Sequence, residues 1–374
     1  MRGDTGRSLR GTTGAPWQPG TRAFSGGLQK IDEGGRSATN VARSWRWIQM
    51  KVLLLANQPE KTTRLRLFDV TLKELGYETI VPRFDTVNWI SIARKAREIV
   101  LRERPDLVHL FNVPDVIYHW LPALRGSGYK RLIYDYRSPW GVETELRFGS
   151  IAKNVCERFE RQLAEAADVI TTVNTPLKEK AMSYAPGKEI CVIPNYPQRS
   201  FTVPGDDIEP ENVVIFVGRV CEQEGIDSLL RVARELPERE FWIVGGGPFA
   251  WWYLRRKTEN VKALGWQPHS RVAALVRRAR ICIIPRRENA LTPYSTDRSI
   301  WKLNEYLNLG RQVVASGITL EERRKNLWVV KSTELRRAVE ESMEREPEKL
   351  KESDYRFWEE NTERVKEVYE RVWG

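Results

Sequence analysis

The sequence predicts an α/β protein built from two doubly wound, parallel-sheet domains. Three observations carry this reading. Short apolar runs of strand length alternate with amphipathic stretches of helical period, and strands apolar throughout are strands covered on both faces. The alternation breaks once, where Pro194, Pro197, Pro204, Gly205 and Pro210 crowd around Asp206 and Asp207, and then restarts. The chain has 374 residues, enough for two domains at roughly 150 residues each.

Residues 52–56 are the first apolar run and the first predicted strand. Leu65, Phe68, Leu72 and Leu75 recur at helical spacing over 62–75, and Gly76 stops that helix. A strand over 77–81, a helix over 90–104 ended by Pro105, and strands over 107–111 and 132–136 follow. A long charged helix over 151–166, a strand over 169–173, a short helix over 177–184 and a strand over 191–193 complete the first domain. Beyond the break, strands are predicted over 213–217, 241–244, 261–264, 281–284, 312–315 and 328–330. The helices between them are predicted over 226–235, 249–257, 271–280 and 298–309. A last helix is predicted over 353–372, with Val365, Val368, Tyr369 and Val372 as its apolar stripe. The expected organisation is an extension over 1–49, domains over 50–200 and 212–352, a linker over 201–211 and a C-terminal helix over 353–374.

Residues 1–49 are rich in Gly, Ser, Thr and Arg and have no apolar periodicity. They hold eight basic and three acidic residues, a net of +5. No apolar stretch of secretory-signal length occurs in them. The abrupt apolar start at Met50–Leu55 reads them as a disordered or over-extended leader.

Lys and Arg number 61 against 50 Asp and Glu, a net of +11, so a little over half of the excess lies beyond residue 49. The excess favours an anionic partner. A nucleic-acid partner is not expected, because much of the charge sits in the leader and no aromatic-basic recognition motif is present. Cys156, Cys191, Cys221 and Cys282 are widely spaced and form no CxxC pair, and only three histidines occur. A metal cage or redox dithiol is therefore not expected, and the pattern suits a reducing cytosol. No run approaches the 18 apolar residues of a membrane span.

The residues that carry chemistry concentrate in the second half. Val217–Gly218–Arg219 ends the first strand of the second domain, where a guanidinium enters the crevice beyond the strand ends and suits a diphosphate. Gly245–Gly246–Gly247–Pro248 follows the next strand, and glycines there allow close backbone approach to a ligand. Ser295 or Thr296 is the expected cap of a helix carrying Arg298, Lys302 and Glu305 on one face. Lys302 can neutralise phosphate and Glu305 can accept sugar hydroxyls. The same two residues also suit a solvated ion pair worth about 0.3–0.5 kcal/mol. Residues 249–257 mix aromatics with Arg255, Arg256 and Lys257. They read as a core-packed helix with a basic outer end, the alternative being a membrane-interface segment.

The ordered set of pieces resembles retaining glycosyltransferases of family 4 over residues 50–374. Arg104–His109 is similar to the family's kPDvvH strand, Ala167–Val173 to its AD-x-v-i-t-v segment and Val192–Asn195 to its viPN. Val217–Arg219 with Gly225–Asp227 resembles vGRl…KGid. Val244–Pro248 resembles vGgGp, and Lys302–Gly310 with Val313–Ala315 resembles KlxEYlaxGxPVVA. The resemblance implies a GT-B fold, two Rossmann-like domains facing across a cleft, with the last helix returning to the first domain. It implies a hexosyltransferase-type enzyme that uses a nucleotide-diphosphate sugar, retains anomeric configuration and needs no metal or other cofactor. The acceptor would be a glycan, a lipid-linked group or a small molecule, and the setting cytoplasmic or at a membrane surface. Carried over, Arg219, Lys302 and His109 take catalytic roles, and Gly218, Gly246, Gly247, Asp297, Arg298 and Glu305 bind the donor. Asp135–Tyr136–Arg137 would face the acceptor with His109.

Three positions depart from the family pattern. Glu224 stands where the family has a Lys five residues after the Arg. Asp297 stands for the first family glutamate, with Glu288 the other candidate. The paired glycines after the first strand are absent from 57–63. A carboxylate about 4 Å from a diphosphate oxygen would repel it by roughly 4 kcal/mol at an effective dielectric near 20. Glu224 must therefore point away or pair with a base, and another cation must serve the phosphate: Lys302 first, Arg298 second, with Arg286 and Arg287 also in reach. The alternative reading is a catalytically impaired relative that binds a nucleotide sugar or a partner.

Overall fold

The computed structural model describes residues 50–202 and 209–373. Residues 1–49, expected as an extension, and part of the linker lie outside them. The first sheet contains β1 (Lys51–Leu55), β2 (Glu78–Ile80), β3 (Leu107–Phe111), β4 (Arg131–Tyr136), β5 (Val169–Thr172) and β6 (Glu189–Val192). Their order is β2-β1-β3-β4-β5-β6, and every pairing is parallel. The second sheet contains β7 (Glu211–Val217), β8 (Glu240–Val244), β9 (Val261–Gly265), β10 (Ala279–Pro285), β11 (Gln312–Ser316) and β12 (Leu327–Val329). Its order is β12-β11-β10-β7-β8-β9, again all parallel. Both sheets are doubly wound, and both belong to one compact unit. The strand order reverses between β1 and β3 and between β7 and β10, the positions where open α/β sheets leave a crevice beyond the strand ends.

The helices cover both faces. In the first half these are α1 (Thr63–Glu74), α2 (Trp89–Glu103), α3 (Trp140–Ala166) and α4 (Thr175–Tyr184). Asn88 caps α2 by accepting from Ser91 N, and Asn174 caps α4 by accepting from Leu177 N, both at 3.0 Å. In the second half they are α5 (Ile226–Glu235), α6 (Ala250–Leu254), α7 (His269–Arg278), α8 (Trp301–Asn308) and α9 (Leu335–Met343). The last, α10 (Thr362–Trp373), buries Val365, Val368, Tyr369 and Val372 against Val52, Leu54 and Phe68 of the first sheet's layer. Trp358, just before it, donates its indole N–H to Thr71 Oγ1 at 2.9 Å. The chain end thus returns to the first sheet.

Five expectations change. α3 begins at Trp140, ten residues and more before the predicted start, because Gly149 (φ 79°) joins an extra helix to the predicted one. α9 was missed, although Leu335, Ala338, Val339 and Met343 give it a buried helical stripe. Residues 249–257 form a shorter helix than expected, with Ala250, Tyr253 and Leu254 packed half-buried against the core. Only Ala250–Leu254 is helical, no residue of it is fully buried, and Phe249 and Trp251 stand in solvent. The predicted helix over 298–309 starts instead at Trp301. The Thr296 hydroxyl accepts from Arg298 N at 3.2 Å and the Ser299 hydroxyl from Thr296 N at 2.8 Å, so side chains take the donors a helix would need. The predicted 353–372 helix likewise resolves into turns at Glu352–Asp354 and Trp358–Asn361 before α10. Among the described residues no helix is long and apolar enough to cross a membrane.

Candidate active site

A cleft of about 490 Å³ lies between the two sheets' strand ends. The loop after β4 and the start of α3 supply Arg137, Ser138, Pro139 and Glu143. The second half supplies Gly218 and Arg219 after β7, Glu224, Arg286 after β10, and Lys302 and Glu305 on α8. Arg219 and Arg286 thus follow the two strands that flank the second sheet's switch point.

Local packing fixes this geometry. Tyr306 on α8 accepts from Val217 N through its hydroxyl at 2.9 Å, which holds the end of β7. Gly218 then turns with φ +152°, and a Cβ there would lie 3.1 Å from Lys302 Nζ. Gly245 closes the other side: its φ is +125° and a Cβ would lie 2.0 Å from Gly218 O, so only glycine is accommodated. Leu303, Tyr306 and Leu307 bury the inner face of α8. Lys302 and Glu305, three apart, line the cleft.

The central ion group is Glu224 with Lys302 and Arg286. Glu224 Oε2 lies 2.5 Å from Lys302 Nζ, and Oε1 accepts from Arg286 Nη2 at 2.9 Å. Burial pushes the Glu224 carboxyl up, but Lys302 and then Arg286 outweigh it and hold it at about 2. Burial also pulls the Lys302 ammonium down, with Glu224 acting against that pull. Lys302 Nζ reaches Val217 O at 3.3 Å and stands over the Phe216 ring at 4.6 Å. Arg219 is exposed and forms no ion pair among the described residues. Arg286 keeps its Nε buried and without a partner. Glu305 sits at the far end, 3.3 Å from His269 Nε2, and His269 stacks on Phe201. Among the described residues no group of three or more His, Cys, Asp or Glu side chains is placed to hold a metal ion.

Gly218, Arg219, Lys302 and Glu305 therefore come together as expected, and the pairing demanded of Glu224 is present. Other candidates do not reach the cleft. His109 is fully buried, donates or accepts through Nδ1 with the Tyr369 hydroxyl at 2.7 Å and stacks on Phe111. Burial holds its pKa down at about 3, so it is a neutral core residue. Asp135 is buried in a two-bond ion pair with Arg64, at 2.8 and 2.9 Å, and Tyr136 is buried beside it. Only Arg137 of that strand end lines the cleft. Asp297 is buried and accepts from Glu321 N at 2.7 Å, and burial raises its pKa. Arg298 lies before α8, with its guanidinium 3.4 Å from Glu321 and its carbonyl accepting from Asn195 N. Gly246 and Gly247 lie in the next βα loop: Gly246 O accepts from Val220 N and its Cα backs onto Trp266. Glu288 is tied to Ser332.

Glu143, Tyr294 and Trp301 also line the cleft and were not among the expected residues. Sequence offers no local signal for them, because Glu143 meets Tyr294 and Trp301 across the cleft only through the fold. One link is legible in hindsight. Asn195 of the viPN segment accepts from Arg64 at 3.0 Å, donates to Ser299 O at 3.0 Å, and its carbonyl accepts from Asn304 Nδ2 at 3.2 Å, so it joins the halves.

Comparison with known proteins agrees with this architecture. The profile described as Glycosyltransferase Family 4 matches residues 34–196, and that described as Glycosyl transferases group 1 matches residues 211–345. The chain belongs to the family 4-like glycosyltransferases. Alpha-galactosylglucosyldiacylglycerol synthase of Streptococcus pneumoniae is 21% identical over 206 residues, 51% of this chain and 55% of the relative. The chain thus spans about half the length of that curated relative. Sucrose-phosphate synthase from Thermosynechococcus elongatus superposes with a TM-score of 0.65 at 14% identity, covering 87% of this chain and 99% of the other. Anabaena HepE in complex with UDP and glucose gives 0.56 at 14% identity, over 86% and 95%. Starch synthase IV of Arabidopsis thaliana, bound to ADP and acarbose, gives 0.53 at 11% identity, over 86% and 99%. The glycosyltransferase has the GT-B fold.

Proposed function

We propose that this glycosyltransferase moves a hexosyl group from a nucleotide-diphosphate sugar to its acceptor with retention of configuration. The observation that carries the reading is the cation arrangement in the cleft. Arg219 and Arg286 follow the two switch-point strands, Lys302 stands between them and Glu305 closes the far end. Departure of a nucleoside diphosphate develops negative charge on the leaving oxygen, and fixed guanidinium and ammonium groups stabilise it without reorganising. Arg219 offers a free fork to the diphosphate. Lys302 and Arg286 take the second phosphate in exchange for Glu224, and Glu305 accepts ribose hydroxyls. The complexes of HepE with UDP and glucose and of starch synthase IV with ADP support a nucleoside diphosphate in such a cleft.

The positive charge comes from Arg and Lys side chains, so transfer is expected to need no metal or other cofactor. The name of the Streptococcus pneumoniae relative favours a glycolipid-type acceptor over a soluble glycan or small molecule, and with it work at a membrane face. Calorimetric titration with UDP, ADP and GDP, with and without EDTA, tests the reading. Binding of one nucleotide that persists in EDTA and is lost in Arg219→Ala is expected. No binding of any nucleoside diphosphate would overturn it and leave the partner-binding alternative.

A further inference from the structure

The long helix α3 is two helices folded back on each other. Gly149 leaves helical geometry at φ 79°, ψ −178°. A Cβ at Gly141 would meet Glu157 Cγ at 2.4 Å, so the segment before the break lies against the segment after it. Lys153 and Glu145 tie the two at 2.7 Å. The tip of this hairpin is apolar and stands in solvent. Phe148 is 74% exposed, Ile151 81%, Leu146 46% and Val155 52%. The charged residues around it are Glu145, Arg147, Lys153, Glu157 and Arg158. Lys153 and Glu157 are already paired, with Glu145 and Lys180. Arg147 and Arg158 have no carboxylate partner among the described residues.

A second exposed group stands at the base of the hairpin. Val87, Trp89 and Ile90 precede and open α2, and Trp89 packs edge-on against Trp140, the first residue of the hairpin, at 6.2 Å. Eight residues of helix separate Trp140 from Phe148, about 12 Å. Arg94 and Arg97 follow Ile90 on the same helical face. Arg137, Ser138 and Pro139, which line the cleft, lead directly into this hairpin.

We infer that the α3 hairpin tip docks the enzyme on an anionic lipid surface and brings a lipid-linked acceptor to the first-sheet side of the cleft. A protruding apolar knob rimmed by unpaired arginines suits the bilayer interface. Its side chains enter the acyl boundary while the guanidinium groups meet lipid phosphates. A helix-in-groove partner needs a concave face and a second copy needs a self-complementary one, and a convex tip offers neither. The acceptor half of the inference rests on the glycosyl-transfer reading; the docking half does not.

Sedimentation of the full chain with vesicles of phosphatidylcholine, with and without phosphatidylglycerol, tests it. The wild type is expected to partition onto the anionic vesicles. The double variant Phe148→Ser/Ile151→Ser is expected to lose at least tenfold in partition, with melting temperature and nucleoside-diphosphate affinity unchanged. Arg147→Gln/Arg158→Gln is expected to weaken binding and flatten its salt dependence, whereas Phe249→Ser/Trp251→Ser leaves it unchanged. Any of four results would overturn the inference. The wild type fails to bind, the hairpin variant binds like wild type, the Phe249/Trp251 variant alone abolishes binding, or the wild type is a dimer that the hairpin variant converts to monomer. Loss of vesicle binding with intact nucleotide binding separates this failure from failure of the donor-site reading.

Discussion

Glu224 and Lys302 are paired at 2.5 Å inside the cleft, and Arg286 closes on the other carboxylate oxygen at 2.9 Å. One carboxylate thereby holds two cations. It keeps them in place and offsets one of their two positive charges.

Glu224→Gln removes the charge that competes with a diphosphate while keeping a side chain that can hydrogen-bond. Nucleoside-diphosphate affinity should rise, and the ligand-free protein should lose about 1–3 kcal/mol of stability, the scale for a buried charged group left without its partner. Glu224→Lys should bind at least as well as wild type. Calorimetry alongside thermal melting checks both, and loss of binding in both variants would refute the holder role.

Arg219→Ala should weaken diphosphate binding by about 1.5–3 kcal/mol, the scale of hydrogen bonds to charged groups. Arg286→Ala should fall in the same range, and Lys302→Ala should cost more than any other Lys→Ala change in residues 212–352. Unchanged affinity in Arg219→Ala would remove it from the donor site.

The Glu224 pair also predicts an acid limit. Its folded carboxyl is held at about 2, below the ordinary glutamate value of about 4.3. A depressed carboxyl contributes stability that is present above the unfolded value and is lost as pH falls through the folded one. Wild type should therefore lose its stability advantage over Glu224→Gln between about pH 4.5 and pH 2. Parallel melting curves for the two proteins across that range would count against the pair.

A second titration runs the other way. Asp115 accepts from the Tyr134 hydroxyl at 2.5 Å, and Glu160 accepts from that of Tyr184 at 2.8 Å, all four buried behind Arg137 and Gly141. Burial raises both carboxyls well above their ordinary range. The folded protein then binds protons that the unfolded chain has released. Stability is full below about pH 4 and declines as pH rises through the raised folded values. Melting temperature should fall from pH 5 towards pH 8, and Asp115→Asn should reduce that slope. A wild-type melting temperature that rises over this interval would exclude the effect.

His109→Phe tests a residue that the family resemblance put forward and the fold places in the core. The loss of its bond to Tyr369 should cost about 1–3 kcal/mol of stability, with kcat within a few-fold of wild type. A thousandfold loss of kcat in a folded variant would return His109 to the chemistry.

The two-sheet architecture was legible in the residues alone, because each buried parallel strand is an unbroken apolar run and each helix shows its own period. Residues 107–111 and 226–235 agree with the structure at both ends. The place of Gly218, Arg219, Lys302 and Glu305 on the cleft wall was legible too, since each lies at a strand end or on one short helix where local spacing already fixes its direction. Glu224 was legible as a problem, because a carboxylate beside a diphosphate is costly wherever it sits. The tertiary structure decided how that problem is solved. Arg286 follows β10, 62 residues beyond Glu224, and reaches it only because β10 pairs with β7 in the sheet. It likewise decided against His109, Asp135 and Asp297, whose burial comes from α10, Arg64 and Glu321 packing over them from distant parts of the chain. The helix boundary before Trp301 was hidden for a related reason. Thr296 and Ser299 take backbone donors through their hydroxyls, and Thr296 is held there by Glu321 and Asn174, which approach from other parts of the fold. Local spacing fixes which way a side chain points; only long-range packing fixes what it meets.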